Sequence, residues 1–359
     1  MLAYTFTDIV ITIFSSILVF FLWLIYYVYV NTITVPNTES VDILIKKNIR
    51  LTQNIFPIFV GLFILWFFIF NYVYINNFNN SLIFWDAIYI SNNTINFFFL
   101  STLILFCILS AVMLLKKQNI SFNIEYILFV FLIIFAGYLL ISSTNLFISI
   151  FFLEFIALLI FGKFTVSKTI FNLNKINSIK PSYLTQYSYG LFNSLFFQFW
   201  ANFVSSVFLF FSLINMHYLC GTSNFFLLNF IFYVVNSTWY VSEYFLITSL
   251  TAFVTGLFIK LGLSPYQFFK IETYKGIPLF MVIVYTTVYL IVYIYFFIYL
   301  ILYQLPIIKQ FTGPYMLFFI IISLLYLISL LFDTKNFKAF LSYSTLITIV
   351  NLFIVVLVI

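Results

Sequence analysis

Two ionisable residues stand in the middle of long apolar runs, and they are the ones with which this chain could do chemistry. Glu154 lies within the run from Phe147 to Phe161, and Lys260 within the run from Phe253 to Leu263. A charge at the centre of a bilayer costs at least about 2.5–3.5 kcal/mol, so such residues usually pair or line a wet path. Burial disfavours the charge on a carboxylate and on an amine alike. Each could then take up or release a proton near neutral pH. The plainer reading of the same two residues is a structural ion pair that locks two helices together.

Lys260 has further context. Gly256 and Gly262 flank it, and Pro265 follows five residues later. Proline removes a backbone donor and opens the helical ladder. Inside membranes a broken helix often marks an ion site, because its freed carbonyls and amides can hold water or charge. A simple kink is the competing reading. The other polar residues say less. His217, the single histidine, closes an apolar run and is read as a structural residue, with a proton relay as the sharper alternative. Lys163 and Lys168 suit a snorkelling span end, and Glu125 suits a helix start, where an acid complements the dipole. Cys107 and Cys220 are far apart and read as small hydrophobes, and no spacing here suggests a metal or iron–sulfur centre.

The elements that must hold these residues follow from composition. The chain has 359 residues, 65% hydrophobic and only 7% charged. Soluble domains run at about 45–50% apolar and about 25% charged, so a solvent-exposed enzyme is excluded. A nucleic-acid binder is excluded too, because the net charge of +6 is spread over loops rather than gathered on a face. The runs are continuously apolar, not alternating, which argues against a β-barrel. Runs of spanning length fall near 8–30, 55–75, 96–115, 124–142, 145–162, 187–217, 246–266, 277–303, 314–332 and 337–359. Each is read as a helix, since lipid offers no partner for open backbone groups. The stretch 226–244 is apolar but interrupted by Asn229, Asn236, Ser237, Ser242 and Glu243.

Charge settles the parity. If 226–244 does not cross, 13 Lys and Arg lie on the side opposite the N-terminus and one, Lys309, lies with it. A crossing there would make the split 10 against 4. The positive-inside rule favours the first arrangement: an all-α bundle of about ten spans, with 226–244 interfacial or re-entrant. Tyr and Phe stripes are read as lipid-facing and packing surface. The N-terminus lacks a basic region and no cleavable targeting segment is expected. Abundant Phe, Ile, Asn, Tyr and Lys with a single arginine, Arg50, suggests an AT-rich genome such as an organelle's.

The residues around Lys260 also resemble a known family. Lys260-Leu-Gly-Leu-Ser-Pro265-Tyr266-Gln267-Phe268-Phe269, then Glu272, then Tyr274-Lys275-Gly276-Ile277-Pro278, is similar to the broken-helix motif of the antiporter-like subunits of respiratory complex I. The Gly-Ile-Pro ending is closer to subunit 2 of NADH dehydrogenase than to subunits 4 or 5. Glu125-Tyr126 through Glu154, Ser205-Ser206 through Tyr218 with Gly221-Thr222, and Lys335 through Ser344 resemble other family segments in the same order. The resemblance covers roughly 124–359.

It implies a three-helix segment over 1–123, a first antiporter-like repeat core over 124–276 with 226–244 inserted, and over 277–359 the last helix of that repeat and the start of a truncated second one. The first five-helix repeat would be complete, with its seventh span broken. Glu154 would set the protonation of Lys260, and both would serve proton translocation. This chain would hold no cofactor; NADH, FMN, iron–sulfur clusters and ubiquinone would belong to other subunits. Partners would be other membrane-arm subunits, a separate chain supplying the missing C-terminal helices, and lipids such as cardiolipin, but no nucleic acid. The setting would be the mitochondrial inner membrane, with the N-terminus in the intermembrane space. Departures are Gln267 where the family has His, Ile271 where it has Pro, and Leu290 where it carries a second lysine thirty residues after the first. The run 277–308 has no charge at all, so a relay would pass through Tyr285, Tyr289, Thr286, Thr287 or water. A scaffold that no longer pumps and a free-standing cation/proton antiporter are the alternative readings.

Overall fold

The computed structural model describes residues 81–83, 88–90, 124–175, 181–238, 240–263, 266–277, 282, 285–332, 334 and 337–358. All of them lie in one compact unit, Asn80–Ile359. The first three expected spans, Asp86, Cys107 and Pro265 fall outside them.

The described elements are mostly helices. They are α1 (Ile124–Ser142), α2 (Leu146–Lys175), α3 (Pro181–Cys220), α4 (Phe225–Thr238), α5 (Tyr240–Leu261), α6 (Gln267–Gly276), α7 (Leu290–Tyr299), α8 (Ile307–Phe332) and α9 (Phe337–Val358). Wider π-helical turns, Tyr285–Tyr289 and Leu300–Gln304, lead into and out of α7. Among the described residues, five helical segments are long and apolar enough to cross a membrane: Phe192–Cys220, Tyr244–Leu261, Tyr285–Gln304, Ile307–Phe332 and Phe337–Leu357. Hydroxyls within the helices are satisfied locally. Ser149, Ser212, Ser249 and Ser342 each donate to the carbonyl three residues back, so they can sit in an apolar bundle at little cost.

Three details differ from the sequence reading. A small antiparallel hairpin pairs β1 (Ser81–Ile83) with β2 (Ile88–Ile90), an element outside the all-α expectation. Residues 225–238 form the helix α4 in their own right; at about 1.5 Å per residue it is roughly 21 Å long, shorter than the hydrocarbon core of about 30 Å. Helix α8 starts at Ile307 and runs through Pro314, whereas the apolar run was placed near 314–332.

Ends of the elements meet in a consistent way. The α1–α2 turn joins the α3–α4 turn through Leu146 N–H to Ser223 O and Phe225 N–H to Thr144 O. It also joins the hairpin at the Ile88–Ser143 bridge and accepts Gln304 Nε2 at Ser143 O, 2.9 Å. At the start of α9, Lys338 Nζ donates to Ile277 O. Sharing an end between 143 and 304 fits the parity in which 226–244 adds no crossing.

Between α5, α7 and α9, Phe258, Phe297 and Phe353 pack ring against ring. Lipid tails are as apolar as these rings, so helices associate through close packing, which small residues permit. Gly256 on α5 is such a residue: a Cβ there would lie 2.8 Å from Leu209 Cγ and 3.2 Å from the Ser205 carbonyl oxygen of α3. Gly256→Val is expected to force α3 and α5 apart and to destabilise the protein by about 1–3 kcal/mol. A thermal midpoint in detergent equal to that of the wild type would count against this contact.

Candidate proton-transfer site

Glu154 sits in the first third of α2 and Lys260 in the last turn of α5. The fold brings them together: Lys260 Nζ lies 3.0 Å from Glu154 Oε1, with the lysine side chain fully enclosed and the glutamate one-quarter exposed. An ion pair of this kind holds both charges where neither would be stable alone. The open side of Glu154 lies on the face of α2 that also exposes Phe147, Phe151, Phe155 and Leu158.

The break after Lys260 follows from Gly262. Its φ of +71 is left-handed backbone, which glycine adopts without a Cβ penalty. The amide of Gly262 then bonds the Ile259 carbonyl and the amide of Leu263 the Phe258 carbonyl, the paired bonds of a Schellman ending. That ending leaves the carbonyls of Lys260 and Leu261 over. Both are taken by side chains: the Tyr289 hydroxyl donates to Lys260 O at 2.8 Å, and Lys270 Nζ donates to Leu261 O. The chain resumes as α6, so the helix that carries Lys260 is broken, with glycine at the break.

Tyrosines extend the site. Tyr285 and Tyr289 stack at 4.6 Å within the first π-helical turn. Bonding to the fifth residue widens such a turn and brings residues four apart almost into register. Tyr289 meets Tyr293 at 4.4 Å, and Tyr285 meets Tyr274 of α6 at 5.5 Å. The Tyr293 hydroxyl donates to Leu153 O at 3.0 Å, one residue before Glu154. Gln198 of α3, fully buried, faces the Tyr285 hydroxyl. Thr345 of α9 faces Tyr274.

Other expected positions fall as follows. Leu290, where the resemblance expects a second lysine, is buried and apolar on α7. Gln267 is buried at the start of α6. Glu272 is half-exposed and pairs with Lys275 at 2.7 Å, a contact of little energetic weight. His217 is exposed in the last turn of α3.

Two features run against the sequence reading. Lys270, counted there among the loop cations opposite the N-terminus, is completely buried. Tyr274 and Tyr293, read only as part of lipid-facing and packing stripes, join Tyr285 and Tyr289, which the sequence offered as a relay, in one continuous buried column. A signal for both lies in the sequence: Lys270 and Tyr274, like Tyr285, Tyr289 and Tyr293, are spaced by four, which sets them on one helix face.

No protein-family profile matches the chain. An 82-residue stretch is 40% identical to the uncharacterized mitochondrial protein ORF4 of Paramecium tetraurelia, covering 22% of this chain and 52% of that protein. Among solved structures, a chain of respiratory complex I from Thermus thermophilus with bound aureothin aligns with a TM-score of 0.54 at 14% identity, over 74% of this chain and 51% of that one. A chain of the membrane-bound sulfane sulfur reductase, an archaeal respiratory membrane complex, aligns with a TM-score of 0.61 at 13% identity, over 94% of this chain and 63% of that one. The chain thus spans about half to two-thirds of the length of these relatives. Its fold is that of membrane-spanning chains in respiratory complexes.

Proposed function

We propose that this chain is a membrane-arm subunit, similar to subunit 2, of a proton-pumping NADH:ubiquinone oxidoreductase in the mitochondrial inner membrane. The observation that carries this reading is the Glu154–Lys260 ion pair, 3.0 Å long, at the C-terminal end of a helix broken by Gly262. The fold likeness to a chain of respiratory complex I and the mitochondrial relative support the setting. Electron transfer would occur in other subunits, which hold the flavin, the iron–sulfur clusters and the quinone. Here the work is electrostatic. A unit pair at 4 Å is worth about 4 kcal/mol at an effective dielectric constant of about 20, so displacing the Glu154 charge changes how tightly Lys260 holds its proton. A neighbouring membrane-arm subunit facing the open side of Glu154 could supply that displacement. A separate chain completing the second repeat, and lipids such as cardiolipin in the grooves, belong to the same reading.

A scaffold that joins its neighbours without pumping is the second reading, favoured by Leu290 in an uncharged run. Two measurements address both. In mild detergent the chain is expected to co-purify with flavin- and iron–sulfur-containing subunits; isolation on its own would point to a free-standing antiporter. In the purified complex, Glu154→Gln is expected to assemble normally and to lower the number of protons moved per electron. An unchanged ratio would leave only the scaffold.

A further inference from the structure

Burying an amine in a membrane bundle is expensive, and among the described residues two lysines are buried. Lys260 has Glu154 as its counter-charge. Lys270 has none: neither ion pair among the described residues includes it. Its Nζ has the Leu261 carbonyl oxygen as acceptor, at the end of α5 where the helix dipole carries partial negative charge. An ammonium is held there by that dipole, and a neutral amine can keep the same hydrogen bond while offering a lone pair. Lys270 can therefore be accommodated in both protonation states. The titratable groups on its own helix are Tyr274, one turn on, and Glu272 and Lys275, which are paired with one another on the exposed face.

The tyrosine column links the two amines. It begins at Tyr293, whose hydroxyl is anchored beside Glu154 on Leu153 O. It continues through Tyr289, bonded to the carbonyl of Lys260 itself, and Tyr285. It ends at Tyr274, on the same α6 face as Lys270 and four residues from it. All four rings are buried. A packing role alone would be met by phenylalanine; four hydroxyls within a bundle this apolar offer proton-conducting groups that phenylalanine lacks.

We propose that Lys270 is a second proton-carrying amine, exchanging protons with Lys260 along the hydroxyls of Tyr293, Tyr289, Tyr285 and Tyr274, with water completing the chain. In the step, the ammonium of Lys260 gives up one proton. Each hydroxyl or water passes one on and receives one, and the neutral amine of Lys270 takes the last. No electron moves, and one positive charge is displaced from α5 to α6. This rests on the proton-translocation reading above and names a residue for it that the resemblance does not supply.

The competing role for Lys270 is a cap that only holds the helix break. Proton-to-electron ratios of the purified complex in proteoliposomes, together with its assembly, separate the two. Lys270→Arg keeps the charge and the donor to Leu261 but does not release its proton; Lys270→Gln keeps a donor and cannot carry the charge. The proposal expects both variants to assemble and both to show the loss expected of Lys260→Ala. A wild-type ratio in either variant overturns it. If neither variant assembles, Tyr274→Phe decides, since it keeps the ring and removes one hydroxyl: a fall toward the Lys260→Ala ratio supports the path, and a wild-type ratio overturns it. Glu154→Gln in the same assay keeps the two ideas apart. If that variant loses pumping while those of Lys270 do not, the second amine falls and the function stands. If none loses pumping, both fall.

Discussion

Lys260→Ala is expected to abolish the proton transfer carried by this chain while electron transfer in the assembled complex continues. The substitution has two separable effects. It removes the group that takes and gives the proton, and it leaves Glu154 without the ammonium that stood 3.0 Å away. Removing one partner of a buried pair costs about 3–5 kcal/mol. The cost here belongs at or below the lower end, because the glutamate side chain is one-quarter exposed and can recruit water. A scaffold would suffer the same destabilisation, so stability alone does not discriminate. The double variant Glu154→Gln with Lys260→Met does. It removes both charges and keeps most of the volume, and replacing a buried pair as a whole is often neutral or better for stability. The expected result is a thermal midpoint recovered toward the wild type with proton transfer still absent. A double variant that recovers the wild-type proton-to-electron ratio along with its stability would mean that the pair serves only to lock α2 to α5.

The site was legible in proportion to contrast. Glu154 and Lys260 stand out because each is a lone charge in an apolar run, and lipid makes such charges costly enough to need a reason. Their meeting across α2 and α5 was an expectation that the geometry bears out. Lys270 has no such contrast. It lies beyond Pro265 and shares a short stretch with Glu272 and Lys275, which has the charge density of a loop. Its burial follows a break at Gly262, after which the chain resumes as α6 with Lys270 on the buried face. The tyrosine column was hidden differently. Tyr285 and Tyr289 offered themselves as a relay because 277–308 has no charge, but with 27 Tyr and 54 Phe in the chain, Tyr274 and Tyr293 carry little information. The π-helical turn that stacks Tyr285 on Tyr289 has no sequence signature of its own. The stretch 226–244 was ambiguous because Asn, Ser and Glu interrupt an apolar run, and a short helix followed by the start of α5 satisfies both features.

Gly262→Ala is expected to have the second-largest effect, although it adds one methyl group and removes nothing that titrates. Two penalties combine. The residue has φ +71, and an L-residue in the left-handed region costs roughly 1–2 kcal/mol. The added Cβ would also lie 2.6 Å from Lys270 Cδ and 3.1 Å from its Cβ, and overpacking of this kind costs typically about 1–3 kcal/mol. A flexible side chain can often step aside cheaply. Lys270 cannot, because its far end is bonded to Leu261 O and moving the stem breaks that bond. Together the terms give a destabilisation of about 2–5 kcal/mol, read as a lowered thermal midpoint. Because the strain falls on Lys270, proton transfer should drop in whatever fraction of the complex assembles, with Glu154 and Lys260 untouched. Gly256→Val makes the control: it disturbs packing against α3 but not the helix break, so it should lower the midpoint and leave the proton-to-electron ratio alone. Equal ratios in both variants would separate the break from the proton path, and a wild-type midpoint for Gly262→Ala would show that the left-handed turn is not what ends α5.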